Sequence, residues 1–141
     1  MLADAPDAKE QALASYGLNL GLCFQMIDDV LDFTADEKIL GKPVANDLRE
    51  GKLTLPAIFV MRRAGKRGQE MISAVVEDRG FDRVSPQDVA RIARECGALD
   101  EARALAEEYA AAARADLLAF ERSPYREALE ALPDFILARD H

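Results

Sequence analysis

Apolar positions along this chain recur at three- and four-residue steps, and nowhere do they alternate as a strand's would. The clearest run is Leu99 to Phe120, where Leu99, Ala102, Ala106, Tyr109, Ala113, Leu117 and Phe120 predict one helical face, its alanines small enough to admit a close neighbour. Tyr16 to Leu31 is apolar around most of its circumference (Leu18, Leu20, Leu22, Cys23, Phe24, Met26, Ile27, Val30, Leu31), the pattern of a central, buried helix within a segment from about Asp7 to Asp36.

Punctuation divides the rest. Asp36 to Asn46, with Gly41 and Pro43, predicts a loop, and Leu48 to Lys52 a short polar link turning at Gly51. Thr54-Leu55-Pro56 predicts a capped helix start running to about Ala64. Gly65 and Gly68 then bracket a basic turn, and Gln69 to Arg79 forms a helix stopped by Gly80. Ser85-Pro86 opens a helix with Val89, Ile92 and Cys96 inside and Gly97 at its end; Ser123-Pro124 opens the last, through Leu129, Leu132, Phe135, Ile136 and Leu137. The expected class is all-α, in one domain over 1–141 without an internal boundary.

Charge narrows the partners. Eighteen Lys+Arg against 26 Asp+Glu leave −8 on 141 residues, which repels nucleic acid and anionic membranes. Any phosphate this chain binds therefore needs metal ions or locally placed lysines. Cys23 and Cys96 lack metal-ligand spacing and read as buried apolar groups in a reducing compartment. His141 is the only histidine, which argues against a His-ligated metal or a Ser-His-Asp site. No stretch of 18 apolar residues exists, so no transmembrane segment is expected, and MLADAPDAKEQ lacks leader character; a cytoplasmic location follows. The most apolar helix comes almost at once with few partners to cover it, which predicts upstream structure, a partner chain or self-association.

Into that helix the sequence places Asp28, Asp29 and Asp32, a DDxxD. Asp28 and Asp32 lie one turn apart on one face, Asp29 flanks them, and Gln25 precedes them by a turn. Two carboxylates about 4 Å apart repel by roughly 4 kcal/mol at an effective dielectric near 20, and burial adds a desolvation penalty. A hard divalent cation resolves this: Mg²⁺ takes oxygen ligands, often one or two carboxylates plus substrate phosphates. The plain alternative is an acidic patch facing solvent at the end of a surface helix. Downstream, Gly41-Lys42, Asp47-Leu48 and Gly51-Lys52-Leu53-Thr54-Leu55-Pro56 bring two lysines on loops, suited to a diphosphate as point charges; neither fits a Walker A loop.

The string FQMIDDVLDF…GKPVANDL…GKLTLP resembles the second aspartate-rich region of the trans-isoprenyl diphosphate synthases, particularly the long-chain polyprenyl branch. The likeness is strong from Gly17 to Ile58 and looser through LPDFILARDH at the end. It implies the C-terminal helices of the isoprenoid-synthase bundle and a Mg²⁺-dependent condensation of isopentenyl diphosphate with an allylic diphosphate. It further implies that Asp28, Asp29 and Asp32 serve the metal, Asp28 foremost as a direct ligand and Asp29 and Asp32 directly or through water. By the same resemblance Lys42 contacts the allylic diphosphate, Lys52 adds charge beside it, Asp47 orients Lys42 or metal-bound water, and Phe24 and Gln25 line the substrates, although Phe24 also suits the core. The family's first aspartate motif has no counterpart here, so the resemblance implies half a site, completed by an N-terminal half or partner chain. Two rivals are a non-catalytic regulatory subunit of a heteromeric synthase, which has no use for Lys42, Asp47 and Lys52, and a terpene cyclase relative.

Other features read as structural. Arg62, Arg63, Lys66 and Arg67 suit a solvated turn, Tyr109 and Tyr125 packing, and the Ala102–Ala119 stripe a core.

Overall fold

The computed structural model describes residues 6–34 and 44–139, and among them all regular structure is helical. Among the described residues seven α-helices follow in order: α1 (Asp7–Thr34), α2 (Asn46–Arg49), α3 (Leu55–Arg63), α4 (Gly65–Asp78), α5 (Pro86–Glu95), α6 (Ala98–Asp116) and α7 (Pro124–Leu137), with a 3₁₀ turn over Leu117–Ala119. The described residues group into two compact units. One contains those up to Ile27 together with Leu105–Arg139; the other contains those between Asp28 and Ala104.

In the first unit Tyr16, Ala113 and Leu117 form a buried cluster, with Leu20, Phe120 and Leu129 packed on it. The Tyr16 hydroxyl donates to the Leu129 carbonyl at 2.8 Å, so the ring is buried and its polar end is satisfied. Ser123 caps α7 as expected, its Oγ accepting the Arg126 N–H at 3.2 Å. Not every apolar residue is covered. Tyr125, expected to pack, is 84% exposed, and Leu132 and Phe135 also face outward, while Pro133 and Ile136 carry the burial of α7.

The second unit is built around α3, α4 and α5. Gly68, expected in a turn, lies inside α4, where a Cβ would sit 2.5 Å from the Val60 carbonyl oxygen; the two helices touch through the absent side chain. Lys66 and Arg67 therefore belong to the first turn of α4, and Lys66 pairs with Glu70. The helix ends on Arg79 in the left-handed region (φ 47°), one residue before the glycine expected to stop it. Ser85 caps α5, accepting the Asp88 N–H at 3.1 Å, and Gly97 closes it at φ 71°. Arg63, read as a solvated turn residue, instead ties α3 to the α5–α6 corner: its Nε donates to the Cys96 carbonyl at 2.5 Å and its Nη1 to Glu101 at 3.0 Å, and Arg62 joins Glu101 as well. Cys96 is accordingly half-buried at the corner, whereas Cys23 is fully buried; both thiols are free.

Two long helices depart from their expected faces. Along α6 the buried stripe is Leu99, Ala102, Ala106, Ala110 and Ala113, with Ala110 taking the place expected for Tyr109, which stays half-buried. Along α1 enclosure is confined to the later turns, where Met26, Ile27, Asp29, Val30, Leu31 and Phe33 are buried and nothing between residues 26 and 33 is exposed; earlier, Tyr16 and Cys23 are buried but Leu13, Leu18 and Phe24 are exposed.

Candidate diphosphate site

Asp28, Asp29 and Asp32 stand on the last two turns of α1, at the start of the second unit. Their environments differ. Asp29 is 7% exposed and the only charged or polar residue among the described ones to be fully buried; Asp28 and Asp32 are half-buried.

Asp32 is committed to the backbone. Its carbonyl oxygen accepts the Ala45 N–H at 2.7 Å, its Oδ1 accepts the Asn46 N–H at 3.2 Å and its Oδ2 accepts the Asp47 N–H at 3.2 Å. Asn46 and Asp47 open α2, whose first N–H groups have no capping side chain of their own. A carboxylate from α1 stands in for that cap, and this is why Asn46–Arg49, expected as loop and polar link, closes into a helical turn. Burial pushes the Asp32 carboxyl up to about 6; the Asp47 and Asn46 N–H bonds pull it back, while the negative charges of Asp47 and Asp29 add to the rise.

The same turn fixes Lys52. After Gly51 (φ 85°) the chain reverses, the Lys52 N–H reaches the Asp47 carbonyl at 2.9 Å, and the ammonium meets Asp47 Oδ1 at 3.0 Å and Glu50 Oε2 at 2.8 Å. Glu50 is steadied by Asn46, whose Nδ2 donates to Glu50 Oε1 at 3.0 Å. Both carboxylates hold the Lys52 ammonium above its usual pKa, and Lys52 and Asn46 hold Glu50 below its own. The lysine remains 60% exposed, a fixed positive charge turned to solvent. Sequence reasoning missed Asn46 and Glu50. Their i, i+4 spacing was the available signal, but it has meaning only once Asn46 begins a helix.

Thr54 occupies the position before α3 as expected, yet its hydroxyl makes no cap bond: Oγ1 is buried without a partner, and Pro56 in the first turn spares the helix one donor. Lys42 lies outside the described residues. Phe24 and Gln25 belong to the first unit; Phe24 is 43% exposed, with the Arg139 guanidinium carbon 4.8 Å from its ring centroid. Among the described residues the site thus brings together Asp32, Asp47 and Lys52, with Asp28 and Asp29 beside Asp32 on α1.

No group of three metal-ligating side chains forms a closed cluster among the described residues. The donors on α1 are nonetheless all oxygen, and one of them, Asp28, is half-buried rather than sealed. That set fits a cation held by one or two carboxylates and completed by phosphate and water, as Mg²⁺ prefers, and not a protein-only cage.

The sequence profile of the family described as polyprenyl synthetase matches residues 1–95. This chain belongs to the polyprenyl synthetase family. The octaprenyl diphosphate synthase of Escherichia coli (strain K12) is 39% identical over 140 residues, which are 99% of this chain and 43% of that protein. A short chain isoprenyl diphosphate synthase of Methanothermobacter thermautotrophicus is 37% identical over 130 residues, 92% of this chain and 39% of its own length. Among solved structures, the polyprenyl synthase from Caulobacter crescentus CB15 complexed with calcium and isoprenyl diphosphate superposes with a TM-score of 0.87 at 40% identity, over 99% of this chain and 42% of that one. The expected kinship and the all-α isoprenoid-synthase fold are both borne out. The polyprenyl synthetase chain described here spans less than half the length of these relatives.

Proposed function

We propose that this chain supplies the second acidic wall of a polyprenyl diphosphate synthase, which condenses isopentenyl diphosphate with an allylic diphosphate to give a longer all-trans polyprenyl diphosphate. The observation that carries the reading is the joining of Asp28, Asp29 and Asp32 to Asp47 and Lys52 in one unit, with Asp32 and Asp47 directly bonded. An acidic helix end facing solvent would not be stitched to a downstream lysine in this way. The Caulobacter relative's calcium and isoprenyl diphosphate support the same ligand class.

Each residue then has a task. Asp28, from the half-open side of α1, is the proposed direct ligand of Mg²⁺, with Asp29 adding negative charge behind it. When bound, the cation offsets charge that develops on the departing pyrophosphate. Lys52 offers a permanent positive charge to the same diphosphate, already aimed and therefore needing little reorganisation. Asp47 holds that ammonium in place. Lys42 is proposed as a further diphosphate contact, and Phe24 and Gln25 as substrate contacts, on the family resemblance alone. The opposing carboxylates of the first aspartate motif are proposed to come from an N-terminal half or a partner chain, in an oligomer. A cytoplasmic setting is proposed from the acidic charge and the two free thiols; no helix among the described residues is long and apolar enough to cross a membrane.

The test is product formation. With a supplied N-terminal half, labelled isopentenyl diphosphate and an allylic diphosphate should give longer prenyl products only when Mg²⁺ is present, and Asp28→Asn should cut the rate at least about a hundredfold, the range seen when a transition-state charge partner is lost. Metal-independent turnover, or full activity in Asp28→Asn, would refute the assignment.

A further inference from the structure

Asp32 gathers three successive backbone N–H groups, those of Ala45, Asn46 and Asp47. Ala45 makes this possible: at φ 56° and ψ 40° it is left-handed, and the right-handed turn of α2 follows it. A left-handed residue beside right-handed ones turns consecutive N–H groups to one side, a concavity that binds an anion. Here the Asp32 carboxylate takes two of the three, the N–H groups of Asn46 and Asp47, and the Asp32 backbone carbonyl takes that of Ala45.

From this cradle two bonds lead to Lys52. Asp47, whose N–H is held by Oδ2 of Asp32, accepts the ammonium on its own side chain. Asn46, whose N–H is held by Oδ1, donates to Glu50, and Glu50 is the other acceptor of that ammonium. Both acceptors of Lys52 are thus fixed, at one remove, by a single carboxylate on α1. We infer that Asp32 is a positioning residue that aims Lys52 through Asn46 and Asp47, and that it is not one of the metal ligands. The inference rests on the diphosphate reading, since it is for that anion that Lys52 is aimed.

Asp28 and Asp32 are separable on this account although they share a motif. Asp32→Asn keeps the side-chain volume but sets an NH₂ group against one of the two N–H donors. In the 141-residue chain, amide hydrogen exchange followed by NMR should be faster by about tenfold at Asn46 or Asp47, whichever faces the new NH₂ group, as one lost hydrogen bond implies, and unchanged at both in Asp28→Asn. Calorimetry with inorganic pyrophosphate and Mg²⁺ should show weaker binding for Asp32→Asn, with no further loss when the same change is made in Lys52→Ala. Asp47→Ala, which cuts the link to Lys52 and leaves the cradle in place, should weaken pyrophosphate binding while the Asn46 amide stays protected; this variant decides the matter should Asp32→Asn unfold. Unchanged exchange in Asp32→Asn, a binding loss of equal size with and without Lys52, or full binding in Asp47→Ala would each overturn the inference. A wild-type chain that binds no pyrophosphate even with the N-terminal half supplied would overturn the diphosphate reading, and with it the use to which Lys52 is put; the exchange difference at Asn46 and Asp47 tells that failure from a failure of the cradle.

Discussion

The state of a carboxylate on a helix is set by what reaches its oxygens. Asp32 meets two backbone N–H groups and is half-buried, so its carboxyl is caught between donors that favour the charge and a desolvation that resists it. Desolvation wins, and the group titrates near 6 against an ordinary 3.8. The sign follows from proton linkage. Between those values the folded chain binds more protons at this site than the unfolded chain does, so the site's contribution to stability falls as pH rises, is complete below the lower value and is gone above the upper one. Urea midpoints measured in metal-free buffer across pH 4 to 7 should therefore decline for wild type relative to Asp32→Asn, with the gap changing mainly below about 6. Parallel profiles would mean that Asp32 does not titrate in that window.

Among the helices, the decisive residues are often those that have no side chain to offer. α3 and α4 meet where Gly68 lets the Val60 carbonyl approach, with the Ala64 Cβ 2.9 Å from where a methyl would stand. Replacing Gly68 by alanine improves helix propensity by about 1 kcal/mol yet forces backbone apart. Overpacking of this kind costs about 1–3 kcal/mol, so thermal or urea unfolding of Gly68→Ala should show a net loss of stability; a gain would show that the two helices yield at no cost. The same contact explains why sequence reasoning drew Gly65 and Gly68 as a turn. Glycine signals a break in the chain's own hydrogen bonding and close approach by a neighbour equally well, and only the partner helix distinguishes them. The Ser-Pro starts of α5 and α7 were legible because their information is local: a hydroxyl three residues from an N–H, and a ring that needs no donor. α2 was illegible for the opposite reason. Its cap comes from Asp32, fourteen residues earlier, and its left-handed entry falls on an alanine, for which no propensity argues.

Over the whole chain, the helical class and the kinship were legible from residue order alone, and the same long motif with fixed spacings named the aspartates and Lys52 as candidates. The extent of burial along α1 was not legible in this way. Its run of apolar residues suggested enclosure, whereas Leu13, Leu18 and Phe24 are exposed, and in α7 Leu132 and Phe135 are too. Apolar character states what a surface can bury and is silent about whether a partner is present. The net charge of −8 sharpens the functional question, since a chain so acidic gains nothing from long-range attraction to a diphosphate; the proposed function therefore places a cation and nearby lysines, Lys52 among them, at the site.

Reliance on a cation is the central claim, and calorimetric titration of inorganic pyrophosphate into the 141-residue chain supplied with the N-terminal half, with and without Mg²⁺, tests it most directly. Binding should require Mg²⁺ and should weaken by at least about tenfold in Asp28→Asn, as loss of one charge-assisted contact implies. Binding of equal strength in the presence of a chelator, or in Asp28→Asn, would contradict it.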